Sequence, residues 1–219
     1  MTLLVFDTSS AAITAAVLTA DGDLLSEVTE RGATAHGELL APTISQCLHL
    51  AGLAPVDLTD IAVGVGPGPF TGLRVGIVTA RVMANALNIP VHGVCSLDGI
   101  AKQVVGQGLS DVEFAVVTDA RRREVYVATY DAGGVRLSGP SVQTAASLDP
   151  SIRQGVVCGA GAELYPGEFS DVRPPEFVSA AWLGRVVIDH PERVTGTTPL
   201  YLRRPDAVEN AGRKRVTPL

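Results

Sequence analysis

The chain has 219 residues, 46% of them hydrophobic and 18% charged, with a formal net charge of −6. That composition supports a buried core and excludes an intrinsically disordered chain. The acidic balance argues against a protein that grips nucleic acid through its own overall field. Three cysteines, Cys47, Cys95 and Cys158, stand in apolar surroundings with no C-x-x-C pair, which reads as reduced core thiols of a cytoplasmic protein. The opening residues lack a basic region and their apolar run stops at Asp7, which is unlike a signal peptide. No uncharged apolar run reaches the roughly 18 residues of a membrane span, so no membrane contact is expected.

Residues 2–6 read as a buried strand ending at Asp7. Thr8, Ser9 and Ser10 turn the chain, residues 11–19 return, Asp21-Gly22 is a hairpin signal, and residues 24–30 form a third strand. After a loop at 31–35, a helix is predicted from His36 to Ala51, because Leu40, Ile44, Cys47, Leu48 and Ala51 recur at helical spacing. A strand at 61–65 then enters the stretch Gly64-Val65-Gly66-Pro67-Gly68-Pro69-Phe70-Thr71-Gly72-Leu73-Arg74-Val75-Gly76. Thr71 is the predicted cap of a helix that runs to Leu87. A glycine-rich loop before a helix suits an anion, yet the phosphate codes fail here. Leu73 follows Gly72 where a Walker loop needs Lys, and Pro69 stands where a dinucleotide loop needs its third glycine. Residues 91–95 form a short strand, and Ser96 is the predicted cap of the next helix.

The second half repeats the first. A shift of 112 places Asp7 on Asp119, Gly22 on Gly134, Leu25 on Leu137 and Ser26 on Ser138, in the same order of strand, Asp, turn, strand, glycine turn and strand. The second copy is 17 residues shorter between its Asp and the strand at Val156, about the length of the helix from His36. Residues 159–161 are expected to replace the opening glycine loop, and 179–189 its helix. The expected units are 1–106 and a reduced 107–219, with the last segment packing back on the first. The basic run Arg213-Lys214-Arg215 reads as a solvated end.

Duplicated strand–Asp–hairpin units are how actin-like ATPases hold a magnesium nucleotide, so Asp7, Thr8 and Ser9 are the candidate nucleotide ligands. Both hairpins lack a glycine after the Asp, and the second carries Arg121, Arg122 and Arg123, whose bulk hinders approach to a phosphate. The plainer reading of Asp7 is a turn residue satisfied by local N–H groups. The four histidines make no i, i+4 pair, no G-x-S-x-G elbow exists, and Cys95 has no base that the sequence places beside it. The helix after the glycine loop is apolar around most of its circumference, which calls for cover on two sides. Periodicity alone leaves open whether the second cover is a partner or the chain's own first helix.

Four stretches carry a family resemblance: Asp7-Thr8-Ser9, the glycine loop from Gly66 to Gly76, the segment from Asp119 to Tyr126, and Tyr201-Leu202-Arg203. Together they resemble the bacterial TsaB (YeaZ) family over almost the whole chain. The sequence departs from that family at Pro69, where Ser is usual, and in lacking a glycine within the segment of Arg122 and Arg123. The resemblance implies an α/β, actin-like (ASKHA, ribonuclease-H-like) fold of duplicated mixed-sheet units. It implies a non-catalytic role in making threonylcarbamoyladenosine next to the tRNA anticodon, activating a TsaD-like transferase as a heterodimer, with a TsaE-like ATPase joining. Alone, the protein is expected to form a homodimer through the same helices. The implied interface comprises Leu73, Arg74, Ile77, Val78, Arg81, Val82 and Met83 of the second helix and Leu40, Ile44 and Leu48 of the first. No cofactor of its own is implied: ATP or ADP sits at the complex interface, the metal in the partner, and tRNA is reached only through the complex. Ser96 and Ile100 occupy the positions of the paralogue's metal-binding His pair, and Ile cannot ligate a metal. A weak nucleotide hydrolase using Asp7 is the alternative, and a peptidase the last choice.

Overall fold

The computed structural model describes residues 1–31 and 36–203. The predicted loop at 31–35 is described only at Arg31, which ends β3; its residues 32–35 and the basic run at 213–215 lie outside the described residues. The first half builds β1 (Thr2–Asp7), β2 (Ala12–Thr19), β3 (Leu24–Arg31), α1 (His36–Leu50), β4 (Asp60–Gly64), α2 (Phe70–Leu87), β5 (Val91–Val94) and α3 (Ser96–Gly106). The second builds β6 (Phe114–Asp119), β7 (Glu124–Tyr130), β8 (Arg136–Thr144), α4 (Pro150–Gln154), β9 (Val156–Cys158), α5 (Ala160–Glu163), β10 (Asp171–Arg173) and α6 (Ala180–Asp189). Val, Ile, Leu and Ala dominate β1, β2 and β4, which are buried along nearly their whole length, as strands covered on both faces must be.

Two five-stranded mixed sheets result, ordered β3-β2-β1-β4-β5 and β8-β7-β6-β9-β10. The antiparallel pairs β1–β2 and β2–β3 recur as β6–β7 and β7–β8, and the parallel pairs β1–β4 and β4–β5 recur as β6–β9 and β9–β10. This is the duplicated actin-like fold, and β1 and β6 match end to end at the 112-residue shift. The helices correct the sequence reading. α6 follows β10 as α3 follows β5, so residues 180–189 are the counterpart of α3, and the counterpart of α2 is the single turn α5. The helix from His36 is reduced rather than deleted in the second copy: a 3-10 turn at Ala145–Ser147 and the five-residue α4 stand between β8 and β9.

α3 and α6 pack on each other between the two sheets, and α6 covers β1 and β2 of the first unit. One core therefore spans both units, joining Leu3, Val5 and Leu18 to Ile100, Phe114, Tyr130 and Leu183. Two glycines permit this layer. A Cβ at Gly184 would lie 2.8 Å from Leu18, and one at Gly106 would lie 2.2 Å from the ring of Trp182. The last described segment also returns to the first unit: Thr195 exchanges backbone hydrogen bonds with Gly93, and Leu200 N–H donates to the Val65 carbonyl at 2.8 Å. On the outer face, α1 and α2 pack on the first sheet over a second core built from Leu4, Phe6, Ile13, Leu40, Ile61, Leu73 and Ile77.

Candidate functional site

The hairpin after β1 is sealed from solvent. Asp7 is completely buried, as is Thr8, and Ser9 nearly so. Asp7 Oδ1 accepts from both the N–H and the hydroxyl of Ser9, each at 2.7 Å, and Oδ2 accepts from Ser96 Oγ at 2.6 Å. Ser96 Oγ in turn accepts from Gly66 N–H at 3.2 Å, so the carboxylate is tied to the glycine loop through one hydroxyl. Burial pushes the Asp7 carboxyl above the usual carboxylate range, against the opposing pull of the Ser96 and Ser9 hydrogen bonds and of His36. Ser96 is thus no helix cap: the position before it, Cys95, is the cap and makes no side-chain bond. Ile100 lies fully buried in the shared core.

The glycine loop packs backbone against backbone on this hairpin. An added Cβ would lie 1.7 Å from Asp7 Oδ2 at Gly64, 2.3 Å from the Ser9 carbonyl at Gly68, 2.5 Å from the Thr8 carbonyl at Gly72 and 2.4 Å from Thr8 Oγ1 at Gly76. Thr8 Oγ1 donates to the Gly72 carbonyl at 2.7 Å, closing the contact. Thr71 is exposed and caps nothing: the helix starts at Phe70 behind Pro69, whose fixed φ suits that place. A magnesium nucleotide does not fit these residues. Both Asp7 oxygens are spent internally, and the loop glycines admit the hairpin, not a phosphate. Segment 195–203 then crosses the same end of the sheets. Tyr201 stacks tilted on Phe70 at 5.0 Å, and Arg203 Nη1 donates to the Ala120 carbonyl at 3.0 Å.

The outer face of α2 is open. Arg74, Val78, Arg81, Val82 and Asn85 follow one another at helical spacing and are exposed, with Val78 at 54% and Val82 at 62%. Beside them Met83 and Thr79 line a groove of about 460 Å³ whose other wall is Ala41, Ile44, Ser45, Leu48 and His49 of α1, closed at one end by Leu53 and Pro55. Leu73, Ile77 and Leu40 are buried in the monomer's own core, which corrects their placement on a partner surface: α2 turns Leu73 and Ile77 inward over the first sheet, and α1 turns Leu40 into the same core. Ile44 and Leu48 are largely buried too, but they line the groove. Arg74 and Arg81 face outward yet are held by segment 195–203. Arg81 donates to the Thr197 hydroxyl and carbonyl, both at 2.7 Å, and Arg74 to the Tyr201 hydroxyl at 3.1 Å while lying over the Phe70 ring.

The second hairpin differs from the first. Asp119 Oδ1 accepts from Arg121 N–H at 2.7 Å, and Arg121, Arg122 and Arg123 all sit at left-handed φ, 61°, 54° and 64°. Sequence reasoning also missed a buried polar cluster between the units. Tyr130 donates to Asp98 Oδ1 at 2.8 Å, and Arg136 reaches Asp98 Oδ2 at 3.5 Å and Cys95 Sγ at 3.8 Å. Asp98 in an otherwise apolar helical turn was the available signal. Burial, then the Asp98 charge, push the Cys95 thiol up to about 12, so it does not present a thiolate. Among the described residues, no three His, Cys, Asp or Glu side chains converge as a metal site, and no helix is long and apolar enough to cross a membrane.

Residues 24–156 match the family model described as TsaD: tRNA N6-adenosine threonylcarbamoyltransferase. The tRNA threonylcarbamoyladenosine biosynthesis protein TsaB of Bacillus subtilis is 33% identical over 130 residues, 59% of this chain and 55% of that one. The solved structure of YeaZ from Pseudomonas aeruginosa superposes with a TM-score of 0.75 at 27% identity, covering 92% of this chain and 99% of that one. The chain belongs to the TsaB (YeaZ) family. An uncharacterised protein of Mycobacterium tuberculosis is similar over more of its length, 43% identical across 208 residues, 94% of this chain and 93% of the relative. TsaB relationship and fold agree: the YeaZ match covers 92% of this chain, more than either sheet alone.

Proposed function

We propose that this TsaB-family chain is the non-catalytic, activating partner of a TsaD-type transferase in the formation of threonylcarbamoyladenosine in tRNA. The observation that carries the reading is the open face of α2, where Val78 and Val82 stand more than half exposed beside the α1–α2 groove. A helix with one buried stripe and a second apolar stripe in water is built to be covered. The groove and the two valines give the apolar centre of an interface, and Arg74 and Arg81, held by segment 195–203, a polar rim. The sealed Asp7 and the replacement of a metal-binding pair by Ser96 and Ile100 leave the chemistry to the partner. On this reading the metal sits in the transferase, ATP or ADP at the complex interface, and a TsaE-type ATPase joins the assembly. The same face serves self-association when the transferase is absent.

Replacing Val78 and Val82 by Glu places two charges on the open stripe without touching the core. The variant should keep its circular dichroism and melting curve, fail to co-purify with the transferase, and lose at least a hundredfold in affinity, since two valines at the centre of an interface are worth about 3 kcal/mol. A folded variant that still activates transfer in vitro would sink the proposal.

A further inference from the structure

We infer that the hairpin tip Arg121–Arg122–Arg123, with Arg203 behind it, is a contact for the phosphate backbone of a structured RNA. The inference rests on the reading above, that the chain works in a tRNA-modifying assembly, and adds that this chain itself touches the RNA.

Distribution of charge is the first observation. Eight of the 17 lysines and arginines fall in two short stretches, residues 121–123 and 203–215, although the whole chain carries −6. The fold brings the first residue of the second stretch, Arg203, to the hairpin. Arg203 donates to the Ala120 carbonyl at the base of the hairpin and is ion-paired with Glu124. From there the sequence runs on through Arg204 to Arg213, Lys214 and Arg215, which lie outside the described residues. Among the described residues, three adjacent arginines at one tip and Arg203 at its base give an acidic protein a local positive field where its average field is negative.

Backbone conformation is the second observation. All three arginines adopt left-handed φ, a region that glycine enters freely and a long side chain enters at a cost. The turn would form more readily with glycine, so this chain carries its guanidinium groups against local backbone preference, and strain of that kind clusters at functional sites. All three residues are exposed. Three consecutive exposed arginines on a protruding turn suit the repeated phosphates of a backbone better than one small anion. Asp119 and Glu124 offset part of the charge. The Arg121–Asp119 pair is 3.4 Å long with the Arg121 side chain 70% exposed, a weak surface pair that a phosphate can displace. Tyr165 lies within electrostatic reach of both Asp119 and Arg123 and is partly exposed, adding a ring at the edge of the tip.

The test is a salt titration of binding to fluorescently labelled, unmodified tRNA, with the full chain alone and in complex with the transferase. Arg121→Gln/Arg123→Gln should weaken binding about tenfold at low salt and flatten the slope of log K against log salt by about 1.5, the loss of two phosphate contacts. Arg123→Gly should raise the melting temperature and still weaken RNA binding, a split that a merely structural arginine does not produce. Unchanged affinity and slope in the double variant would overturn the inference. So would an intact RNA slope with weakened binding to the transferase, since the tip would then face an acidic protein surface. A failure of the proposed function is distinguishable: it appears as Val78→Glu/Val82→Glu chains that still activate the transferase, and it leaves the titration of the chain alone readable.

Discussion

Asp7 accepts three hydrogen bonds inside the protein, and neither of its oxygens reaches solvent. Its folded pKa is raised, so the folded state holds a proton that the unfolded chain releases near pH 4. The stability this contributes is complete below the unfolded value and is lost as pH climbs from there through the folded one. Asp7→Asn keeps a neutral side chain of the same shape and should leave the protein folded, with a flatter dependence of urea midpoint on pH above 4. An unchanged dependence above pH 4 would show that the carboxylate is charged in the fold and held by its donors. Gly72 decides between two opposed effects. Alanine gains about 1 kcal/mol in helix propensity, but its Cβ would stand 2.5 Å from the Thr8 carbonyl. Backbone cannot give way as a side-chain end can, so Gly72→Ala should destabilise by about 1–2 kcal/mol in urea unfolding, the cost of overpacking exceeding the gain. The strand, the Asp and the turn at residue 7 were legible from the apolar run and the Asp-Thr-Ser turn. That Ser96 closes the site was not, because its partner is 89 residues away and a Ser before an apolar helix reads as a cap.

At the scale of elements, α2 shows what periodicity resolves. Its apolar positions divide between a face on β4 and α1 and a face in water, and sequence alone could not assign them, since Leu73 and Val78 are equally apolar. Spacing is the discriminator: Leu73, Ile77, Ala80 and Ala84 form one stripe with Gly72 and Gly76, the small residues marking the side where the hairpin backbone approaches. The α5–α6 exchange has another cause. Length suggested that the 10-residue helix α6 stood for α2, but topology is set by which strands flank a helix, and β10 had only three residues, Asp171–Arg173, with little apolar signal. The second hairpin was read as arginines replacing glycine. Its left-handed backbone was invisible, because nothing in three successive arginines asks for positive φ.

The molecule as a whole is held by its middle layer. Asp98 and Cys95 come from the first unit, Tyr130 and Arg136 from the second, and they meet beside α3 with Asp98 only 1% exposed. Arg136→Met removes the cation and leaves Asp98 with the Tyr130 hydroxyl alone. It should cost about 3 kcal/mol in chemical denaturation, at the low end for a broken buried pair because Arg136 is itself a third exposed. Asp98→Leu/Arg136→Met/Tyr130→Phe, which strands no buried hydroxyl, should recover most of that loss, and a triple variant no more stable than Arg136→Met would refute the pairing. The same layer governs how the chain acquires its structure. α6 closes the first sheet from more than 160 residues away, and Thr195 and Leu200 complete its edge. The amino-terminal half cannot finish burying Leu3, Val5 and Leu18 while residues 180–200 remain inside the ribosome. During synthesis it waits as a sheet with one uncovered face, and contacts of such long sequence separation make the last step of folding a slow one.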